Sequence, residues 1–202
     1  MQLNAIAVAV NTRFKGSEVA DIVSRSGAKS IIFWPLFKKA NFLGVLNSVT
    51  DAAFKKLESV IIYDEEENDF ISNSLLPNSF YSKKVTTYLE LIDHSGAEID
   101  HSQPDAGCNI FTTSGTTKAP KFVLHSHRSI SIHASEVWRN LKPLIKSNAF
   151  FHTLPFCGVF GFNHFSAALS GARPNVIQSA FSAREAIDLI DRHKVDYISA
   201  TD

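Results

Sequence analysis

The chain has 202 residues, with 20 Lys+Arg balanced by 20 Asp+Glu, so its formal net charge is zero and nothing electrostatic argues for nucleic acid or an anionic membrane as its main partner. A content of 45% hydrophobic and 11% aromatic residues is that of a globular chain, one domain or two small ones. The two cysteines, Cys108 and Cys157, are too few for a disulfide framework and fit a reducing, cytoplasmic setting. The apolar run over residues 5–10 has no basic region before it and is too short for a secretory signal, and no later run is long enough to span a bilayer.

Residues 5–10 read as a buried strand. A turn at residues 11–14 leads to a helix over 18–26, with Ser17 as its cap and Val19, Ile22 and Val23 on one face; Ser26-Gly27 ends it. Residues 28–34 form a second strand stopped by Pro35. Residues 37–57 read as one or two helices with Phe42, Leu46 and Phe54 inward, and 59–63 as a short strand. Residues 64–69 hold five acids in six positions. They lack His or Cys partners and read as a solvated loop rather than a metal site. Residues 71–82 are irregular, 85–92 predict a short helix, and 93–107 form a polar connector.

The most informative stretch is CNIFTTSGTTKAPKFVLHSHRSI, residues 108–130. An apolar strand leads into Thr112, Thr113, Ser114, Gly115, Thr116 and Thr117, where hydroxyls and backbone N–H groups surround one glycine. Lys121 adds a cation on a long stem, residues 121–126 alternate like a second strand, and a helix starts near Ser126. This chemistry suits phosphate. A Walker A loop is excluded: Gly115 and Lys121 have its separation, but Pro120 precedes the lysine and Phe122 follows it. Beyond the loop, an amphipathic helix over 128–141 has Ile132, Ala134 and Trp138 on its buried face. There follow a strand at 149–154, a helix at 165–169, a strand at 174–178, a helix at 182–193 and a strand at 197–200. Repeated strand–helix alternation predicts an α/β fold with parallel sheets. His125 and His127, with His152 and His164 downstream, match no zinc spacing and read as polar or capping residues; Cys157 reads as a small buried residue.

The loop resembles the T-S-G-T-T-G-x-P-K-G signature of the adenylate-forming superfamily of acyl- and aryl-CoA ligases, luciferases and adenylation domains. Thr113–Thr117, Pro120-Lys121 and Ser126-His127 match it, while Lys118 and Phe122 stand in place of two glycines. If those positions need positive φ, the replacements weaken phosphate binding. The run AVAVNTRFKGSEVADIVSRSGAKSII is similar to the family's P-x-N-x-R strand, helix and S-G-A-K turn. HTLPFCGVFGFN resembles its H-x-L-P-L-F-H-x-F-G segment, with Gly158 where many members carry histidine.

The resemblance implies the following. The fold is α/β, a partial N-terminal domain, with residues 1–106 in its first α/β subdomain and 107–202 holding the phosphate loop and the start of the second. The parent enzyme activates a small carboxylic acid with ATP and Mg²⁺ to an acyl-adenylate, then passes the acyl group to a thiol, with coenzyme A as the expected acceptor. Thr113, Ser114, Gly115, Thr116, Thr117 and Lys121 hold the nucleotide's phosphates, and Gly158 and Phe160 border the acyl pocket. The family's Y-G-x-T-E segment, whose glutamate helps hold Mg²⁺, and its catalytic lysine have no counterpart in these residues. The chain therefore reads as an internal piece that is inactive alone, with apolar edges open to self-association. The alternative is a non-catalytic remnant serving as a weak nucleotide-binding or interaction module.

Overall fold

The computed structural model describes residues 3–38, 40–63, 76–94, 96, 100–113, 120–146 and 148–200. They fall into two units, one of Met1–Asn11, Ile99–Thr113 and Lys121–Asp202, the other of Thr12–Glu98 with Pro120. Among the described residues no helix is long and apolar enough to cross a membrane.

The Thr12–Glu98 unit is built on a parallel sheet. Strand β2 (Ser30–Phe33) pairs with β5 (Ser59–Ile62), and β5 with β6 (Lys84–Thr87). The β-branched residues of central β5 point alternately into the core, so Val60 and Ile62 are buried. Helix α1 (Gly16–Ser26) buries Val19, Ile22 and Val23. Its cap is Lys15, not Ser17: the Lys15 backbone N–H donates to Glu18 Oε2 at 2.9 Å. Gly27 closes the helix at φ 65°, a left-handed turn that favours glycine.

The predicted helices over 37–57 prove more varied. A hairpin of β3 (Leu36–Phe37) and β4 (Ala40–Asn41) precedes α2 (Phe42–Asn47) and a 3₁₀ turn at Asp51–Phe54. Asn41 Oδ1 accepts from the Gly44 N–H at 2.7 Å and starts α2. Leu46 and Phe54 are buried as predicted, while Phe42 is only half-buried. The predicted helix over 85–92 is half strand. Val85, Thr86 and Thr87 complete the sheet, and Thr87 then caps α3 (Tyr88–Ile92), exchanging hydrogen bonds with Glu90. The acidic run 64–69 lies outside the described residues.

In the other unit β1 (Ala7–Val8) runs parallel to β7 (Gly107–Thr113), and β7 pairs antiparallel with β8 (Lys121–Ser126). The buried strand expected over 5–10 is thus only two residues long and largely exposed, because β1 is an edge with little packed over it. Ser126 Oγ accepts from the Ser129 N–H and begins α4 (His127–Leu141). Ala134 of α4 is buried, but Ile132 is 55% exposed, on the opposite side of the helix from its expected place.

Strand β9 (Ala149–His152) is buried along its whole length between β10 (Asn175–Ile177) and β11 (Val195–Ser199), both parallel to it. The connections are α5 (Val159–Ser170) and α6 (Ala183–His193), giving a β-α-β-α-β unit. Ala149, Phe151 and Val176 pack with Ala186, Leu189 and Ile190 of α6. Phe150 and His152 alternate to the other face, where the His152 ring meets Phe165 of α5.

Candidate functional site

Strands β7 and β8 bring the two ends of the Thr/Ser-rich loop together. Thr113 and Lys121 are the last cross-strand pair of the ladder, so seven residues, 114–120, link them. Both end residues are exposed. A hydroxyl and an ammonium side by side at the base of such a loop can donate to neighbouring oxygens of one polyphosphate. They supply no carboxylate, so a divalent cation would take its ligands from phosphate and from elsewhere. Ser114, Gly115, Thr116, Thr117 and Lys118 lie outside the described residues.

Phe122 sits opposite Thr112 inside the β8 ladder, without a positive φ. A side chain is therefore compatible with the backbone there. Within the Thr12–Glu98 unit, Arg25 adds a contact no motif suggests: its guanidinium pairs with Asp21 and donates to the Pro120 carbonyl, each at 2.6 Å. The two partners are 95 positions apart in sequence, which is why sequence spacing does not show it.

Gly158 and Phe160 lie at the start of α5, after the turn that follows β9. Gly158 is the helix N-cap, at φ −101°, and a Cβ there would meet only the Pro155 carbonyl, at 3.6 Å. Phe160, on the first turn, is 54% exposed. Gly161 is the opposite case. A Cβ would stand 2.7 Å from the Pro155 oxygen and 2.9 Å from that of Leu154, both rigid backbone. Gly161→Ala is expected to cost about 1–3 kcal/mol, whereas Gly158→Ala loses only the N-cap preference of glycine over alanine, about 0.5–1 kcal/mol. Urea midpoints of the two variants check this, and equal shifts would contradict the close approach at Gly161.

His152 ends β9 in a buried position ringed by Phe150, Phe156 and Phe165. Its Nε2 is 2.6 Å from Asn175 Oδ1, and its buried Nδ1 has no partner. The Asn175 amide nitrogen donates to the Arg173 carbonyl, which turns Oδ1 toward the imidazole. Burial pushes His152 below the ordinary 6.5, against the smaller opposing pull of the Asn175 bond; His164 nearby lowers it further. The unfolded chain therefore takes a proton near pH 6.5 that the folded chain refuses until lower pH. Stability is full above that point and declines as pH falls below it, by at most about 1.4 kcal/mol per pH unit for this group. Urea titrations at pH 7.5 and 5.5 should show the loss, and it should shrink in His152→Leu/Asn175→Leu. An unchanged pH slope in the double variant would remove His152 as the cause.

His125 lies edge-on to Phe111, with ring centroids 5.5 Å apart, and the Nε2 atoms of His125 and His127 are buried with no hydrogen-bond partner among the described residues. Among the described residues no three His, Cys, Asp or Glu side chains gather as a metal site. Cys108 is buried on β7, which raises its thiol pKa, and Cys157 is half-buried. A cavity of about 520 Å³ lies in the Thr12–Glu98 unit, lined by Arg13, Lys15, Asn41 and Ser48 among others, and includes none of the predicted site residues.

A family model described as AMP-binding enzyme matches residues 1–201. A 3-[(3aS,4S,7aS)-7a-methyl-1,5-dioxo-octahydro-1H-inden-4-yl]propanoyl:CoA ligase of Mycobacterium tuberculosis (strain ATCC 25618 / H37Rv) is 27% identical over 192 residues, 95% of this chain and 35% of its own length. The mitochondrial medium-chain acyl-CoA ligase ACSF2 of Rattus norvegicus is 23% identical over 209 residues, 96% of this chain and 33% of its own. The chain thus spans about a third of the length of these curated relatives. The fold is shared with the o-succinylbenzoate CoA synthetase of Bacillus subtilis. Its complex with ATP and magnesium ion gives a TM-score of 0.63 at 18% identity, over 98% of this chain and 44% of that one. Its complex with the acyl-adenylate intermediate gives 0.67 at 20% identity, over 98% and 43%.

Proposed function

Because the chain belongs to the AMP-binding enzyme family, we propose that it is the phosphate-binding part of an ATP-dependent carboxylate-activating enzyme, a ligase that forms an acyl-adenylate and then a thioester with coenzyme A. The observation that carries this is the pairing of Thr113 with Lys121 across the base of the TSGTT loop. Thr113 and Lys121, with Ser114, Gly115, Thr116 and Thr117 of the loop itself, hold the β- and γ-phosphates. ATP would supply the adenylyl group, and Mg²⁺, to which Thr113 and Lys121 offer no carboxylate, would supply charge neutralisation at the pyrophosphate. The chain's own part is to position the triphosphate and stabilise its charge. Residues 1–106 supply part of the first α/β subdomain, β1 being lent to the sheet of β7, and residues 107–202 supply the loop and the start of the second. A reducing compartment suits a chain with two cysteines, too few for a disulfide framework. Exposed Leu124, Ile177 and Ile198 on edge strands support self-association.

Gly158 and Phe160 border the acyl pocket in this reading, supported by their position where β9 gives way to α5 at the carboxyl end of a parallel sheet. Gly158→His is expected to lower the tolerance for long or bulky acids, since pocket volume is worth about 1–3 kcal/mol per methylene. The test of the whole reading is ATP–pyrophosphate exchange with a panel of carboxylates of increasing size, run with this chain in the context of the complete enzyme, because the chain is expected to be inactive alone, and with Gly158→His in the same context. Exchange that depends on the carboxylate supports the function. Exchange with an identical ranking in both proteins removes Gly158 from the pocket. ATP binding without any carboxylate-dependent exchange supports a nucleotide-binding module instead.

A further inference from the structure

One turn beyond Phe160 on α5, His164 presents a polar atom that the proposed function leaves unused. Its ring stands at 90° to the Phe160 ring, with centroids 4.5 Å apart, and 5.6 Å from the ring of Tyr197. Nδ1 lies 3.0 Å from the Phe160 carbonyl and 3.2 Å from Ser199 Oγ. A carbonyl can only accept, so Nδ1 carries the proton, and Ser199 Oγ accepts the second branch of the same bond. Two hydrogen-bond partners and two ring contacts fix the imidazole. Burial holds its pKa below 6.5, with the Phe160 bond opposing, so the ring is neutral at pH 7.

In that tautomer Nε2 is a bare lone pair. It has no partner among the described residues, and it is not one of the buried unpartnered atoms, in contrast to Nδ1 of His152 and Nε2 of His125 and His127. It therefore reaches accessible space. Next to it on the helix, Phe160 exposes about half its surface and offers an apolar contact, while Gly158 leaves room at the helix start.

We propose that His164 Nε2 sets specificity in the acyl pocket by accepting a hydrogen bond from an O–H or N–H group on the acyl portion, so that the preferred substrates are hydroxyl- or amino-bearing carboxylic acids. The inference rests on the reading that Gly158 and Phe160 border that pocket. An acid with a methyl group in place of the donor would cover the lone pair without satisfying it, and a half-buried acceptor left unpaired costs more than a bond left unformed in water. A site built to hydrogen-bond a substrate hydroxyl rejects the analogue that lacks it for this reason.

The experiment compares hydroxyl and methyl partners of nearly equal shape: 3- and 4-hydroxybenzoate against 3- and 4-methylbenzoate, and 6-hydroxyhexanoate against heptanoate. Affinities are measured by ligand-observed NMR on the protein and on His164→Phe and His164→Gln. At least one hydroxyl acid should bind about five- to tenfold more tightly than its methyl partner, the net worth of one hydrogen bond. The preference should vanish in His164→Phe and return in part in His164→Gln, whose amide oxygen also accepts. The His164 Nε2 resonance should move with the hydroxyl acid and not with its partner. Methyl acids binding as well as hydroxyl acids, or a preference that survives His164→Phe, overturns the inference and leaves the proposed function standing. If none of the acids binds to folded protein, the acyl site of the proposed function fails and the inference fails with it.

Discussion

Replacing Lys121 with alanine is expected to weaken ATP binding about 10- to 100-fold, the worth of one hydrogen bond to a charged partner, and to leave AMP binding nearly unchanged. The difference between the two nucleotides follows from the proposed role: Lys121 meets the β- and γ-phosphates, which AMP lacks. The residue is exposed and makes no ion pair among the described residues. Its backbone is held opposite Thr113 by the β7–β8 ladder, whatever its side chain does. The substitution should therefore spare the fold, and an unchanged thermal midpoint would confirm that. Raising the salt concentration should narrow the gap between the proteins, because an exposed charge is screened. Lys121→Arg should recover part of the affinity, as it keeps the charge with a different donor geometry. ATP titrations that superimpose for wild type and Lys121→Ala would place the triphosphate elsewhere.

Phe150→Ala should be the most damaging single change to stability, costing about 3–5 kcal/mol. Phe150 is fully buried at the second position of β9, the central strand of its sheet. Its ring packs 4.7 Å from Tyr197 of β11 and 6.2 Å from Trp138 of α4. Truncation would leave a cavity that neither strand can close, because both are held in register by the parallel ladder. The melting temperature should fall by roughly 10 °C, at about 2–4 °C per kcal/mol for a chain of this size. Ile132→Ala serves as the contrast. Ile132 is exposed on α4, so its loss should stay within about 0.5 kcal/mol. Comparable losses at the two positions would mean that α4 is turned differently about its axis.

Local chemistry determined much of this protein without help from the fold. The α1 face of Val19, Ile22 and Val23, the stop at Gly27, the cap at Ser126, the strand 121–126 and the helix beginning after Ser182 all follow from residues a turn or two apart. The family was legible because TSGTT, Pro120-Lys121 and Ser126-His127 keep their order and spacing along the sequence, and the family match then covered residues 1–201.

The tertiary structure decided what depends on neighbours distant in sequence. Residues 84–87 carry a pattern short enough to serve helix or strand, and pairing with β5 made them strand. Residues 5–10 are apolar enough for a core strand, yet only two of them pair, because β1 is an edge of its sheet. Ile132 and Ala134 stand two positions apart, so helix geometry turns them to opposite sides, and the helix's neighbours decide that Ala134 is the buried one. The same holds at the candidate site. The sequence names His152 and His164 as two histidines in an aromatic stretch. Their states come from Asn175 on β10, Ser199 on β11 and the rings packed around them, and contacts across 23 and 35 residues leave no local signature. Backbone and side-chain preferences within a few residues act on the chain alone, while burial, register and the tautomer of an imidazole exist only once the strands have met.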